Sequence, residues 1–161
     1  MTIRKTTMQD FDAVCGIYAD ARVFMREHGN PDQWMDDWPT PTITSRDIES
    51  GHSYVCVRDG EIAAVFYFSI ETEPTYGEID GQWLDDEPYG VVHRLARNRS
   101  AAGNGASGHC LQWCFEHCGN IRIDTHRDNA PMRELLDRNG YSYCGIIWVE
   151  TGDERMAFQK H

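Results

Sequence analysis

The residues best suited to chemistry lie in the run Gly103-Asn104-Gly105-Ala106-Ser107-Gly108. Glycines let backbone N–H groups approach a phosphate closely, and a helix starting there adds a favourable dipole. The run also reads as G-x-G-x-x-G, with Asp124 about 20 residues beyond its first glycine, as in a dinucleotide fingerprint. A second group, Cys110, Cys114 and Cys118 beside His109 and His117, could form a metal edge. Its i, i+4, i+8 spacing stacks three thiols along one side of a helix. But Leu111 and Phe115 continue the same face and two-residue ligand knuckles are missing, so core packing without a metal is expected.

The dinucleotide reading fails on context. Such a fingerprint needs a strand running straight into its first glycine, early in a repeated βαβ array. Here "RNRSAA" intervenes, the preceding strands form a hairpin, and too little chain follows to complete a doubly wound sheet. A P-loop fails too, since no Gly-Lys-Ser/Thr follows. Two readings stay open: a pyrophosphate seat at a helix N-terminus, or a plain turn before a helix.

The elements that must position this loop can be read in order. "TIRKTT" alternates as a strand, and Thr7-x-x-Asp10 resembles an N-cap box before Phe11, Val14, Tyr18, Ala21 and Met25 at helical spacing. Gly29 stops that helix. "NPDQWMDDWPTPT" carries three prolines and reads as a loop or short helix, and Ser45–Glu49 as one further helical turn. "HSYVCVRDGEIAAVFYFSI" is a hairpin about Asp59-Gly60. Glu71–Glu87 is polar and turn-rich. A strand over Tyr89–Arg97, a helix from Gly103 to His117, a strand over Asn120–Thr125 and a helix over Pro131–Arg138 follow, with proline at N1. "YSYCGIIWVE" and "ERMAFQK" close the chain as two strands around Gly152-Asp153. The order β-α-α-β-β-β-α-β-α-β-β is mixed α+β.

Length and composition set bounds. At 161 residues the expectation is one domain spanning 1–161. A net charge of −11 argues against nucleic acid and favours a cationic partner. Neither a bilayer-length apolar run nor a basic-then-apolar leader is visible, so a cytoplasmic location with no membrane partner is expected, with the six cysteines reduced.

"RLARNRSAAGNGASGHCLQWC" followed by "IRIDTHRDNAPMRELLDRNGYSYCGIIW" resembles the Gcn5-related N-acetyltransferase (GNAT) superfamily. The first run is similar to that family's acetyl-CoA motif, R/Q-x-x-G-x-G/A. The second is similar to its next motif: a strand, an Asn at the turn, a helix, then Gly-Phe or Gly-Tyr. Here those are "IRIDT", Asn129, Met132–Arg138 and Gly140-Tyr141. The element order matches as well. The resemblance implies a GNAT-like acyl-CoA N-acyltransferase fold, with a central, mixed, mostly antiparallel sheet flanked by helices.

It also implies an acetyl-CoA-dependent N-acetyltransferase acting on a primary amine of a small molecule or peptide, with acetyl-CoA as co-substrate and no metal. The backbone of Leu95, Ala96 and Arg97 would pair with the pantetheine arm, an N–H near Ala96 supporting the thioester carbonyl. Gly103, Asn104, Gly105, Ala106 and Ser107 would hold the pyrophosphate, and Asn129 and Met132 would line the cofactor's other side. His93 falls where members often carry a Glu base, and an imidazole with an ordinary pKa near ~6.5 suits that work. His126, Glu78 and Asp80 are further candidates. Trp34, Trp38 and Trp83, interleaved with Asp32, Asp36, Asp37, Asp85 and Asp86, fall in segments that usually cover the acceptor, either lining it for a cationic amine or anchoring solvated loops.

Two departures stand out. The motif's Arg/Gln position falls on Ser100, and the Tyr that often serves as general acid is Leu136. They sustain a rival reading, a non-catalytic acyl-CoA-binding or regulatory module of the same fold. Exposed final strands make a homodimer plausible.

Overall fold

The computed structural model describes all residues 1–161. Its core is one eight-stranded sheet: β1 (Thr2–Lys5), β2 (Ser53–Arg58), β3 (Glu61–Ile70), β4 (Asp80–Gly81), β5 (Gly90–Arg97), β6 (Ile121–Thr125), β7 (Ser142–Trp148) and β8 (Glu154–Lys160). The strand order is β1-β2-β3-β5-β6-β8-β7-β4. Every pair is antiparallel except β5 with β6. The helices are α1 (Phe11–Glu27), α2 (Pro41–Glu49), α3 (Ala106–Cys118) and α4 (Ala130–Arg138). The mostly antiparallel α+β arrangement expected above is the one observed.

Helices cover both faces. The larger core joins Phe66, Phe68, Val92 and Leu95 of the sheet to Cys110, Leu111 and Cys114 of α3 and Leu136 of α4. On the other face Val14, Ile17 and Tyr18 of α1 pack on Val55, Val65 and Ala96. None of the six cysteines is in a disulfide, and Cys110 and Cys114 pack in the larger core as expected from their helical spacing.

Several boundaries differ from the sequence reading. β1 ends at Lys5, and Asp10 accepts from Thr7 N at 2.8 Å and from Arg4 at 2.8 and 3.0 Å, so the turn into α1 is held by an ion pair as well as a cap. α2 runs over nine residues rather than one turn, because Thr40 caps it by accepting from Ile43 N at 3.2 Å and Pro41 pre-sets its first residue. α3 starts at Ala106, later than Gly103, because Ala101–Gly103 forms its own 3₁₀ turn. Asn129 caps α4 from one residue earlier than expected, so Pro131 is second in the helix, not first. The polar segment after β3 contributes β4, a two-residue strand too short to show as an alternating pattern.

Candidate active site

The site is built where the sheet parts. β5 and β6 pair only through Gly90↔Ile121 and Val91↔Arg122. Beyond that, β5 continues along β3 as far as Arg97, while β6 follows β8. One edge of β5 from Val92 onward therefore has no strand partner, and its polar backbone groups face the gap. Within β5 the register on β3 jumps from Tyr67↔His93 to Val65↔Ala96, leaving Arg94 and Leu95 opposite Phe66 alone. This bulge has Arg94 at φ 51°, a left-handed conformation rare for a residue with a side chain.

The gap opens into a cleft of about 850 Å³. His93, Arg94 and Leu95 form one wall, Asp124, Thr125, Asn129 and Met132 another, and Trp34, Met35 and Trp38 come from the α1–α2 connection. Seven carboxylates (Asp32, Asp47, Glu71, Glu73, Asp124, Glu150, Asp153) line it against three guanidiniums (Arg46, Arg94, Arg155). Its field therefore favours a cation. Gln33 fastens the connection across the cleft: its Oε1 accepts from Asn129 Nδ2 at 2.9 Å, while Asn129 Oδ1 accepts from Met132 N at 3.2 Å. Both ends of the Asn129 amide are thus engaged within the protein.

His93 is half-buried in this cleft, its Nε2 lying 3.3 Å from Glu73 Oε2. The hydrogen bond to His93, ahead of the opposing burial, holds the Glu73 carboxyl below its ordinary range. Glu73 also accepts from the Thr75 hydroxyl at 3.0 Å, and Glu73 N donates to Tyr89 Oη at 3.0 Å. The carboxylate is therefore fixed, and a proton on His93 Nε2 leaves Nδ1 with the free lone pair. Behind His93, the buried Tyr76 hydroxyl donates to Asp124 at 2.6 Å, and burial with that anion raises the phenol well above its ordinary pKa.

The glycine loop leaves the carboxyl end of β5, outside the cleft lining. Gly103 is required by close approach, since a Cβ there would sit 1.8 Å from Asn98 O. Gly105 takes the N-cap of α3 at φ 74°, and a Cβ there would meet nothing. With no side chain capping α3, its first-turn N–H groups stay available, a donor set suited to a diphosphate.

Several expected contributors lie elsewhere. Glu78 and Asp80 are exposed and outside the cleft; the 3₁₀ turn Pro74–Tyr76 directs Glu73 inward in their place. His126 lines a neighbouring pocket of about 620 Å³, where its Nδ1 accepts from Asp128 N at 3.0 Å and burial lowers its pKa. Trp83 donates to Tyr76 O at 2.9 Å and lies under the Arg122 guanidinium, and Asp85 meets His161, Asn120 and Gln159. Trp83 anchors Tyr76, and Asp85 anchors a separate network at the C-terminal end of β8. Glu71, Glu73 and Asp47 escaped the sequence reading, because scattered acids in loops and on a helix carry no spacing signal. Asp124, read above only against a dinucleotide fingerprint, lies on β6 and faces the cleft.

The family model for the acetyltransferase (GNAT) family matches residues 12–141. The chain belongs to the GNAT family. The uncharacterized N-acetyltransferase YesJ of Bacillus subtilis (strain 168) is 30% identical over 148 residues, covering 85% of this chain and 79% of that protein. A GNAT-family acetyltransferase from Streptococcus agalactiae 2603 superposes with a TM-score of 0.90 at 30% identity, covering 99% of this chain and 94% of that one. The fold extends to a chain of the NatC complex solved with Gag peptide and CoA, at TM-score 0.63 and 9% identity, covering 99% and 96%. No helix of this GNAT domain is long and apolar enough to cross a membrane.

Against the family's motifs the two departures acquire places. Ser100 caps the 3₁₀ turn by accepting from Ala102 N at 3.3 Å and donates to Glu61 at 3.0 Å, while Arg99 stacks its guanidinium 3.9 Å from the Phe24 ring centre. Leu136 is fully buried in the core and offers the cleft nothing. Tyr141 is buried too, with an unpartnered hydroxyl whose pKa burial raises.

Proposed function

We propose that this protein is an acetyl-CoA-dependent N-acetyltransferase acting on a primary amine of a small molecule or peptide, and that the acceptor is cationic. The observation that carries the reading is the His93–Glu73 pair, set on the wall of the cleft that opens where β5 leaves β6.

Acetyl-CoA supplies an acetyl group on a thioester, activated toward an amine. The N–H groups at the start of α3, from Gly105 to Ser107, would hold its diphosphate, with Gly103 and Asn104 shaping the turn because their own N–H groups donate to Ser100 O and Ala101 O. The free edge of β5 over Leu95, Ala96 and Arg97 would hold the amide-bearing arm. Met132 would pack against it, and Asn129 would hold that wall through its cap on α4 rather than by a direct polar contact. A backbone N–H near Ala96 is suited to the carbonyl oxygen as charge develops there. His93 takes the proton from the incoming ammonium, directly or through a water, and Glu73 steadies the imidazolium that results. The amine nitrogen bonds to the acyl carbon, the carbon–sulfur bond breaks and the electron pair leaves on sulfur. A thiol pKa of about ~8.5 lets water protonate that sulfur, so Leu136 need not be replaced by another acid.

A thermal-shift titration with acetyl-CoA, coenzyme A and NAD in parallel, followed by an amine screen for free thiol, tests the reading. Stabilisation by the CoA ligands alone and thiol release with an amine are expected. Stabilisation with no thiol release from any amine selects the non-catalytic acyl-CoA-binding module. No stabilisation at millimolar CoA removes both.

A further inference from the structure

The bulge in β5 decides which way the site faces. Without it, side chains would alternate strictly along the strand. With it, Val92 and Leu95, three apart, both enter the core under α3 and α4. His93 points to the opposite face, against Tyr67 and Tyr76, and Ala96 packs on that same face under α1. Removing the bulge would shift everything beyond Arg94 by one residue and turn it over.

This geometry rests on Arg94 at φ 51°, a conformation that glycine adopts freely and arginine does not. Something outside the strand must hold it. The Arg94 guanidinium donates fork-to-fork to Asp47 of α2, Nε to Oδ2 at 2.7 Å and Nη2 to Oδ1 at 3.0 Å. Asp47 is nine-tenths buried, and Arg94 also lies 4.8 Å from the centre of the Tyr67 ring. A paired, two-point contact with a buried carboxylate fixes orientation as well as distance.

We infer that the Arg94–Asp47 ion pair is the clamp that holds the β5 bulge in its left-handed turn, and so positions both His93 and the free backbone edge for transfer. Arg94 and Asp47 are positioning residues. The inference rests on the acetyl-transfer reading, and it makes α2 part of the machinery that shapes the cofactor strand.

The test uses the full chain, with acetyl-CoA, coenzyme A and the best amine found. Asp47→Asn and Arg94→Ala should each lower kcat by about 30- to 100-fold, the cost of an ångström-scale misplacement. Coenzyme A should bind several times more weakly and not be lost, because the Leu95–Arg97 edge loosens while the α3 seat is untouched, and amide exchange over residues 93–97 should rise about tenfold. The deciding variant is the double Arg94→Gly, Asp47→Asn. Glycine takes the left-handed turn without a clamp, so kcat should return to within about fivefold of the parent, while Arg94→Ala, Asp47→Asn stays low. Single variants within threefold of the parent, unchanged exchange, or a glycine double variant as slow as the alanine one would each overturn the clamp. If the parent protein releases no thiol, the acetyl-transfer reading falls and the exchange measurement alone decides the clamp.

Discussion

At the scale of single residues, His93 and Glu73 divide one task. Glu73 is held ionised by His93 and fixed by Thr75, so it orients the ring and does not compete for the proton. His93→Ala should lower kcat by about 100-fold or more with little change in coenzyme A affinity, measured by thiol release and calorimetry. Glu73→Gln should lower kcat less, by about tenfold, because the ring loses the carboxylate that orients it and faces the imidazolium. A Glu73→Gln variant with the parent's kcat would refute that division. His93 was picked out by the family resemblance, which puts a base at its place in the strand. Glu73 was not, since its entry into the cleft depends on a turn three residues long.

At the scale of elements, the α3 loop and the β1–α1 turn make contrasting demands. Gly103→Ala forces a Cβ onto Asn98 O, and the backbone must move to admit it. We expect a stability loss of about 1–3 kcal/mol in urea unfolding and weaker coenzyme A binding. Alanine at 105 meets no atom but must hold φ 74°, so its effect should fall mainly on conformation at the α3 cap. In the β1–α1 turn, the hydrogen bonds from Arg4 take Asp10 down to about 2. A carboxyl depressed on folding stabilises the protein above its unfolded pKa near ~3.9, and that contribution disappears as pH falls toward 2. Melting temperature against pH should therefore drop between about pH 4 and 2, and Asp10→Asn should flatten that drop, by an amount limited by solvent screening. The strands, hairpin and long helices were readable from periodicity and turn residues. The nine residues of α2 were hidden by the prolines and threonines at its start, which are a cap in context and a loop out of it.

At the scale of the whole molecule, charge acts over distances larger than any contact. The net charge of −11 and the acidic cleft act in the same direction on a diffusing acceptor. For a cationic amine, kcat/KM should fall severalfold between low and physiological salt, while a neutral amine should be nearly indifferent. A cationic acceptor whose kcat/KM does not change with salt would count against the acidic lining as a selector.

Local spacing in the sequence was enough to recognise the family resemblance, the order of every element except β4, and the glycine loop before α3; His93 followed from that resemblance. Tertiary pairing set which acids face the cleft, that Trp83 packs on Tyr76 while Asp85 joins Asn120, Gln159 and His161, and that His126 opens into a neighbouring pocket. It also joined Arg94 to Asp47, 47 residues apart in the chain. The physical reason is that one strand bulge and one parting of two strands assign every side chain beyond them to a face. Both arise from long-range pairing that no local pattern of residues records.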